Sequence, residues 1–215
     1  MLRILACGVP RSGSTLVWQV LNMCLPGNNV TKSHPGSWKP TDNVDFIVGS
    51  IRDPYDIVTS RFRARVANDD SDGAQEHVTG TRKGLMEDLH MNAGNFDALK
   101  MLMRRFGEKV FVLRYEEFFE NFHTIFAAVR KHIGITVPRP LRERAKSEFS
   151  FAANLKKTLA LKPGNDRADR MGLAHLGSGA AGTPGMWKTV IPVWGHAAMR
   201  KWCNPLCEEW GYANQ

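Results

Sequence analysis

Gly8-Val9-Pro10-Arg11-Ser12-Gly13-Ser14-Thr15 decides how the rest of the chain is read. The apolar run Ile4-Leu5-Ala6-Cys7 before it has the make-up of a short buried strand. Leu16-Val17-Trp18-Gln19-Val20-Leu21 after it has that of a helix. Strand, glycine-containing turn and helix start together form a phosphate cradle: successive backbone N–H groups line the turn, and the helix N-terminus adds partial positive charge. Gly8 and Gly13 permit the tight turn, Arg11 adds a full charge, and Ser14 and Thr15 add hydroxyls. A Walker A loop reads G-x-x-x-x-G-K-[ST]. Here the two glycines keep that spacing, but Ser14 stands in the lysine position and the cation has moved to Arg11. The stretch is a poor ATPase loop and a good phosphate loop. Its plain alternative is an ordinary capped turn between strand and helix.

The chain has 215 residues, enough for one sizeable core, so a single domain over residues 1–215 is expected. Its 43% hydrophobic and 23% charged residues are those of a soluble globular protein. No run approaches a membrane span, and a strand begins almost at once, leaving no room for a signal peptide. A soluble, cytoplasmic protein with no membrane partner is the expectation. The formal net charge of +8 suits an anionic ligand. The positive charge is scattered, without a basic run or interleaved aromatics, which argues against a nucleic-acid partner. Cys7, Cys24, Cys203 and Cys207 include no C-x-x-C pair or zinc spacing, so free thiols and no metal site are expected.

Short apolar strands alternating with helical patterns predict an α/β fold: a mostly parallel central sheet flanked by helices. Asn28–Ser33 reads as the second strand, and Val44–Ile51 as the third, in a central position. Asp53-Pro54 then opens a helix to about Val66, with Asp53 as its cap. Residues 68–84 read as a mobile acidic loop. Leu85–Phe106 is an amphipathic helix closed by Gly107, and Lys109–Tyr115 a fourth strand. Phe118, Phe122, Ile125, Phe126, Val129 and Ile133 mark one face of a further helix closed by Gly134. A basic helix lies within Pro138–Leu161. Residues 162–184 form a long glycine-rich loop, and a Trp-rich helix over Trp187–Tyr212 closes the chain.

In a parallel α/β sheet the ligand sits beyond the carboxyl ends of the strands. Those ends offer Arg11 and its loop, then Lys32, Ser33 and His34, then Arg52 with Ser60 about two turns into the next helix, then Arg114 and Tyr115. Cations, one imidazole and hydroxyls, without a carboxylate pair for a metal, describe a metal-free polyanion site with one candidate general base.

With these residues in place, the chain resembles the sulfotransferases that use 3′-phosphoadenosine 5′-phosphosulfate (PAPS). Their first loop reads roughly P-[KR]-S-G-[ST]-[ST], and Pro10-Arg11-Ser12-Gly13-Ser14-Thr15 matches it. Their second signature is an arginine at a strand end with a serine eight residues on, matched by Arg52 and Ser60. The resemblance implies a P-loop-like sulfotransferase fold and a PAPS donor without a metal. It implies that the first loop holds the 5′-phosphosulfate and that Arg52 and Ser60 hold the 3′-phosphate. Lys32-Ser33-His34 resembles a Lys-Thr-His segment in which the lysine assists the leaving group and the histidine is the base. Tyr115 and Phe151 resemble the aromatics at the adenine, and Gly185-Met186-Trp187-Lys188 a G-x-W-K segment.

The implied function is in-line transfer of a sulfuryl group to a hydroxyl or amine, with His34, Lys32 and Arg11 as the catalytic set. Two departures stand out. Leu16 replaces a first-helix aromatic. Gly177-Ser178-Gly179 stands where Arg-Lys-Gly is usual, so either backbone amides around Gly177 and Ser178 replace those charges or the 3′-phosphate is held more weakly. The short gap between the loop and His34 removes part of the acceptor site of the small-molecule enzymes, so the acceptor is left as a small molecule or a glycan. The acidic loop and the helix after it are the candidate acceptor wall. A P-loop nucleotide kinase, and a non-catalytic binder of a nucleotide or sulfated ligand on the same fold, are the alternatives.

Overall fold

The computed structural model describes residues 1–37, 43–69, 81–150, 152–153, 156 and 185–213. Its framework is a four-stranded sheet of β1 (Arg3–Cys7), β2 (Asn29–Ser33), β3 (Phe46–Ile51) and β4 (Val110–Arg114). The order is β2-β1-β3-β4 and every pair is parallel. β1 and β3 are therefore interior, and their side chains are buried almost throughout, as a sheet covered on both faces requires. The expected parallel α/β sheet and the central place of the third strand are both present.

Alternation along β1 assigns the two faces. Ile4 and Ala6 join Leu16, Val17, Val20 and Leu21 of α1 (Ser14–Cys24) and the 118–129 apolar residues in one core. Leu5 and Cys7 point the other way, with Ile47 and Leu102. That second face is covered by α2 (Pro54–Asp69), α3 (Arg82–Phe106) and α8 (His196–Trp210). Trp187, on the short helix α7 (Trp187–Val190), is fully buried against Tyr55, with ring centroids 4.7 Å apart. The four cysteines are free and buried, and burial pushes the Cys7 thiol up to about 12.

Several boundaries move. α2 runs to Asp69 and α3 begins at Arg82, where the Thr81 side chain accepts the Gly84 N–H at 3.2 Å. Both helices thus extend into the stretch read as a loop over 68–84, and residues 70–80 lie outside the described ones. The 118–133 stripe is broken rather than one helix. Tyr115–Phe118 forms α4, and Asn121 accepts the His123 N–H at 3.0 Å to start α5 (His123–Ala128). A wide turn then ends at Gly134, which has φ 78°. Its apolar residues still share one core, which is why their spacing suggested one face. The basic helix is α6 (Arg139–Phe149). The closing segment is also two helices, separated at Pro192, and a Cβ on Gly195 would lie 2.7 Å from Leu85.

Asp53 caps α2 as expected: its carboxylate accepts the Tyr55 N–H at 2.8 Å. Its pKa is nevertheless pushed up to about 6. Burial is the main cause, and the charges of Asp56 and Glu116 reinforce it against the Tyr55 N–H. An unfolded aspartate titrates near 3.9, so folding raises this pKa. The residue favours the folded state in acid, and that contribution is lost as pH rises through about 6. Asp53→Asn keeps a capping oxygen and removes the charge. It should raise Tm at pH 7.5 and leave it nearly unchanged at pH 4, a comparison that calorimetry at the two pH values makes directly.

Candidate functional site

The loop after β1 is held by one buried hydroxyl. Ser12 Oγ lies 2.6 Å from the Val9 carbonyl oxygen, 2.8 Å from that of Ser50 and 2.7 Å from Ser50 Oγ. Ser12 has no exposed surface, and its N–H also donates to Val9. Its role here is to tie the loop to β3, so the hydroxyls offered by sequence to a phosphate come down to Ser14 and Thr15. Gly8 is required by close approach, since a Cβ there would lie 1.9 Å from Ser50 Oγ. Gly13 is required by its φ of 78°, and by Tyr115 at 2.6 Å from the position of an added Cβ. Arg11 sits at φ 71°, a left-handed conformation that costs a non-glycine residue about 1–3 kcal/mol and recurs at functional sites. The N-terminus of α1 begins directly after the loop, at Ser14.

β2 delivers the next two groups. Cys7 pairs in register with Ser33, so the residues around Ser33 arrive beside the start of the loop. Lys32 Nζ donates to Thr15 Oγ1 at 2.5 Å, and desolvation lowers its pKa. His34 Nδ1 lies 2.9 Å from the Gly8 carbonyl oxygen. A carbonyl only accepts, so Nδ1 carries the proton and Nε2 keeps the lone pair. Burial lowers the His34 pKa. The Gly8 contact opposes that shift, and the Lys32 and Arg61 charges add to it. The imidazole is therefore held neutral, with a defined basic nitrogen.

β3 delivers Arg52, which is 3% exposed. Its Nη2 lies 3.2 Å from Asp56 Oδ2, and its guanidinium carbon is 4.6 Å from the Tyr115 ring centroid. Tyr115 therefore lies between the loop at Gly13 and Arg52. Asp56 also accepts the Gly185 N–H at 2.9 Å, joining Arg52 to the start of the G-x-W-K segment. Burial raises the Asp56 pKa, opposed by Arg52 and Gly185. Ser60 is partly buried in α2, two turns on. Phe151, Gly177 and Ser178 lie outside the described residues.

Arg114 does not join this group. Its guanidinium donates to the Trp210 and Gly211 carbonyl oxygens at 2.6 and 3.1 Å and covers the Tyr212 ring. The strand-end arginine thus closes the end of α8, where unsatisfied carbonyls and a partial negative charge favour a cation. Asp56, Arg61 and Asp88 were missed from sequence. Arg61 Nε donates to Asp88 Oδ1 at 3.0 Å, and Asp88 is fully buried. Burial lowers the Arg11 pKa, the Arg61 charge adds to that shift and the Asp88 charge opposes it. An arginine and a buried acid on successive helices leave no local sequence signal.

Among the described residues, no group of three or more His, Cys, Asp or Glu side chains is arranged to hold a metal ion. No described helix is long and apolar enough to cross a membrane. No protein-family model matches the chain, and no curated protein matches it by sequence. The solved structures do match, and the chain has the sulfotransferase fold. One is a mouse sulfotransferase, SULT7A1, complexed with PAP: TM-score 0.64, 11% identity, covering 98% of this chain and 88% of that one. Another is a retinol dehydratase in complex with androsterone and the inactive cofactor PAP: TM-score 0.64, 16% identity, 97% of this chain and 82% of that one.

Gly8→Ala forces a methyl group into the Ser12–Ser50 contact. The expected cost is about 1–3 kcal/mol, the range for overpacking a core. Adding Ser50→Ala removes the atom at 1.9 Å and should recover part of that loss, which urea unfolding of the single and double variants measures.

Proposed function

We propose that the chain is a PAPS-dependent sulfotransferase acting on a hydroxyl or amine, with His34 as the general base. The observation that carries this reading is the His34–Gly8 hydrogen bond, which presents Nε2 as a base from the backbone of the phosphate loop itself. The donor set suits the nucleotide. A loop at a helix N-terminus with Arg11 and Lys32 suits the phosphosulfate, and Arg52 with Ser60 suits a second phosphate at a distance. PAPS would supply the sulfuryl group and a phosphate leaving group.

His34 Nε2 removes the proton from the acceptor as its oxygen or nitrogen attacks sulfur. Lys32 and Arg11 offset the negative charge that grows on the leaving phosphate as the S–O bond breaks. Thr15, accepting from Lys32, orients that ammonium. Arg52, anchored by Asp56, holds the 3′-phosphate with Ser60, and Tyr115 borders the nucleotide between Arg52 and Gly13. The adenine contact of Phe151 and the backbone contribution of Gly177 and Ser178 belong to the same proposal. So do a metal-free reaction, a single domain over residues 1–215, and a cytoplasmic setting. The Arg52–Asp56 pair adds a requirement: the 3′-phosphate must share the arginine with a carboxylate.

Calorimetry with PAP, without metal and beside ATP and AMP, tests the donor site. PAP should bind selectively, and Ser60→Ala should weaken it. Arg52→Lys keeps a charge opposite Asp56 but loses the planar fork, so it too should weaken PAP. Equal affinity for ATP, or a magnesium requirement, would return the loop to the kinase reading. With an acceptor in hand, His34→Gln should lower kcat by ~10²–10⁴-fold and leave PAP affinity intact. The acid limb of kcat/KM should fall below the ordinary histidine pKa, because the folded protein lowers it. Lys32→Met removes a neighbouring positive charge and should move that limb upward.

A further inference from the structure

Arg61 and Asp88 have no part in the chemistry above, yet they stand next to it. Asp88 is fully buried and accepts a hydrogen bond from Arg61 Nε at 3.0 Å. The outer end of the fork lies against a poor acceptor, with Nη2 2.9 Å from the Met91 thioether sulfur. The Arg61 side chain keeps 17% of its surface exposed, and its Met91 neighbour 43%. The Arg61 charge reaches both Arg11 and His34. Two guanidinium groups held within range of one another repel, and the Asp88 charge offsets that.

The same face of α3 continues the wall. Asp88, Asn92 and Asn95 follow helical spacing, and all three are buried although polar. Asn92 donates to the Pro54 carbonyl oxygen at 3.3 Å, while its Oδ1 has no hydrogen-bond partner among the described residues. Asn95 Oδ1 lies 3.3 Å from the position a Cβ on Gly36 would take, two residues beyond His34. A core face needs no such residues, whereas a hydroxylated, charged ligand does.

On the sulfotransferase reading, we propose that Arg61, braced by Asp88, is an acceptor subsite. It takes a carboxylate carried by the acceptor, so that the substrate class is an acidic, hydroxylated saccharide such as one bearing a uronate. The planar fork pairs with a carboxylate through its outer N–H groups, while Asp88 fixes its inner edge. The acceptor hydroxyl is thereby set toward His34.

Arg61→Met alone would strand the Asp88 charge in the interior. The variant to make is Arg61→Met with Asp88→Asn, which removes one charge of each sign and leaves the formal net charge at +8. Glucuronate and glucose are titrated by saturation-transfer NMR into the wild type and the double variant, with and without PAP. Glucuronate should bind the wild type and glucose should not. The double variant should lose glucuronate affinity about tenfold or more, with PAP affinity and Tm preserved. Absence of glucuronate binding, or equal binding to both proteins, overturns the subsite. Loss of PAP and glucuronate binding together marks the pair as a structural tie between α2 and α3, and overturns it too. Failure of PAP alone refutes the donor reading, while the arm without PAP still decides the role of Arg61.

Discussion

Everything at the site depends on where one hydroxyl is held. Ser12 Oγ, without access to water, meets oxygens of Val9 and Ser50 and fixes the loop after β1 to the strand beside it. A buried polar group left unsatisfied costs about 1–3 kcal/mol, so the loop does not readily leave that geometry. The order β2-β1-β3-β4 makes the contact possible, because β1 has β3 on one side and β2 on the other. The loop is thus fastened toward β3, and Lys32 and His34 meet it from β2. Three strand ends converge with no long excursion of the chain.

Two arginine–carboxylate pairs stand along α2, one at its start and one reaching across to α3. Arg52 with Asp56 lies near the start of α2, and Arg61 with Asp88 lies farther along it. Both acids are buried, at 3% and 0% exposure. A buried ion pair adds little net stability, since desolvation offsets the attraction. Its use is directional: each carboxylate orients a guanidinium through a hydrogen bond. Asp56 further accepts the Gly185 N–H, so the segment leading into Trp187 is fixed to the same arginine.

What could be read from sequence was local. The strand–turn–helix course around Gly8–Thr15, the Asp53 cap and the alternation of apolar strands with helices each depend on neighbouring residues, and each is found. The Lys32 and His34 positions followed from one strand end. What could not be read depends on partners far along the chain. Ser12 meets Ser50 across 38 positions, Arg61 meets Asp88 across 27, and Asp56 meets Gly185 across 129. Arg114 looked like a site cation because it ends a strand. Its carbonyl partners, 96 and 97 residues later, belong to a helix whose end no local pattern links to β4. The 118–133 stripe misled for a related reason. Apolar spacing records which residues share a core, and a chain broken at Asn121 can still return to that core.

The hydrogen bond from His34 to Gly8 joins two parts often treated as interchangeable. The carbonyl that orients the imidazole belongs to the first residue of the loop. A phosphate loop transplanted from another protein would bring its own backbone course, and with it a new position for that carbonyl. The imidazole would then be free to turn over, or to exchange the proton between its nitrogens. Grafting at this site therefore has to move the loop and the histidine segment as one unit, and divergence within the fold is bound by the same coupling.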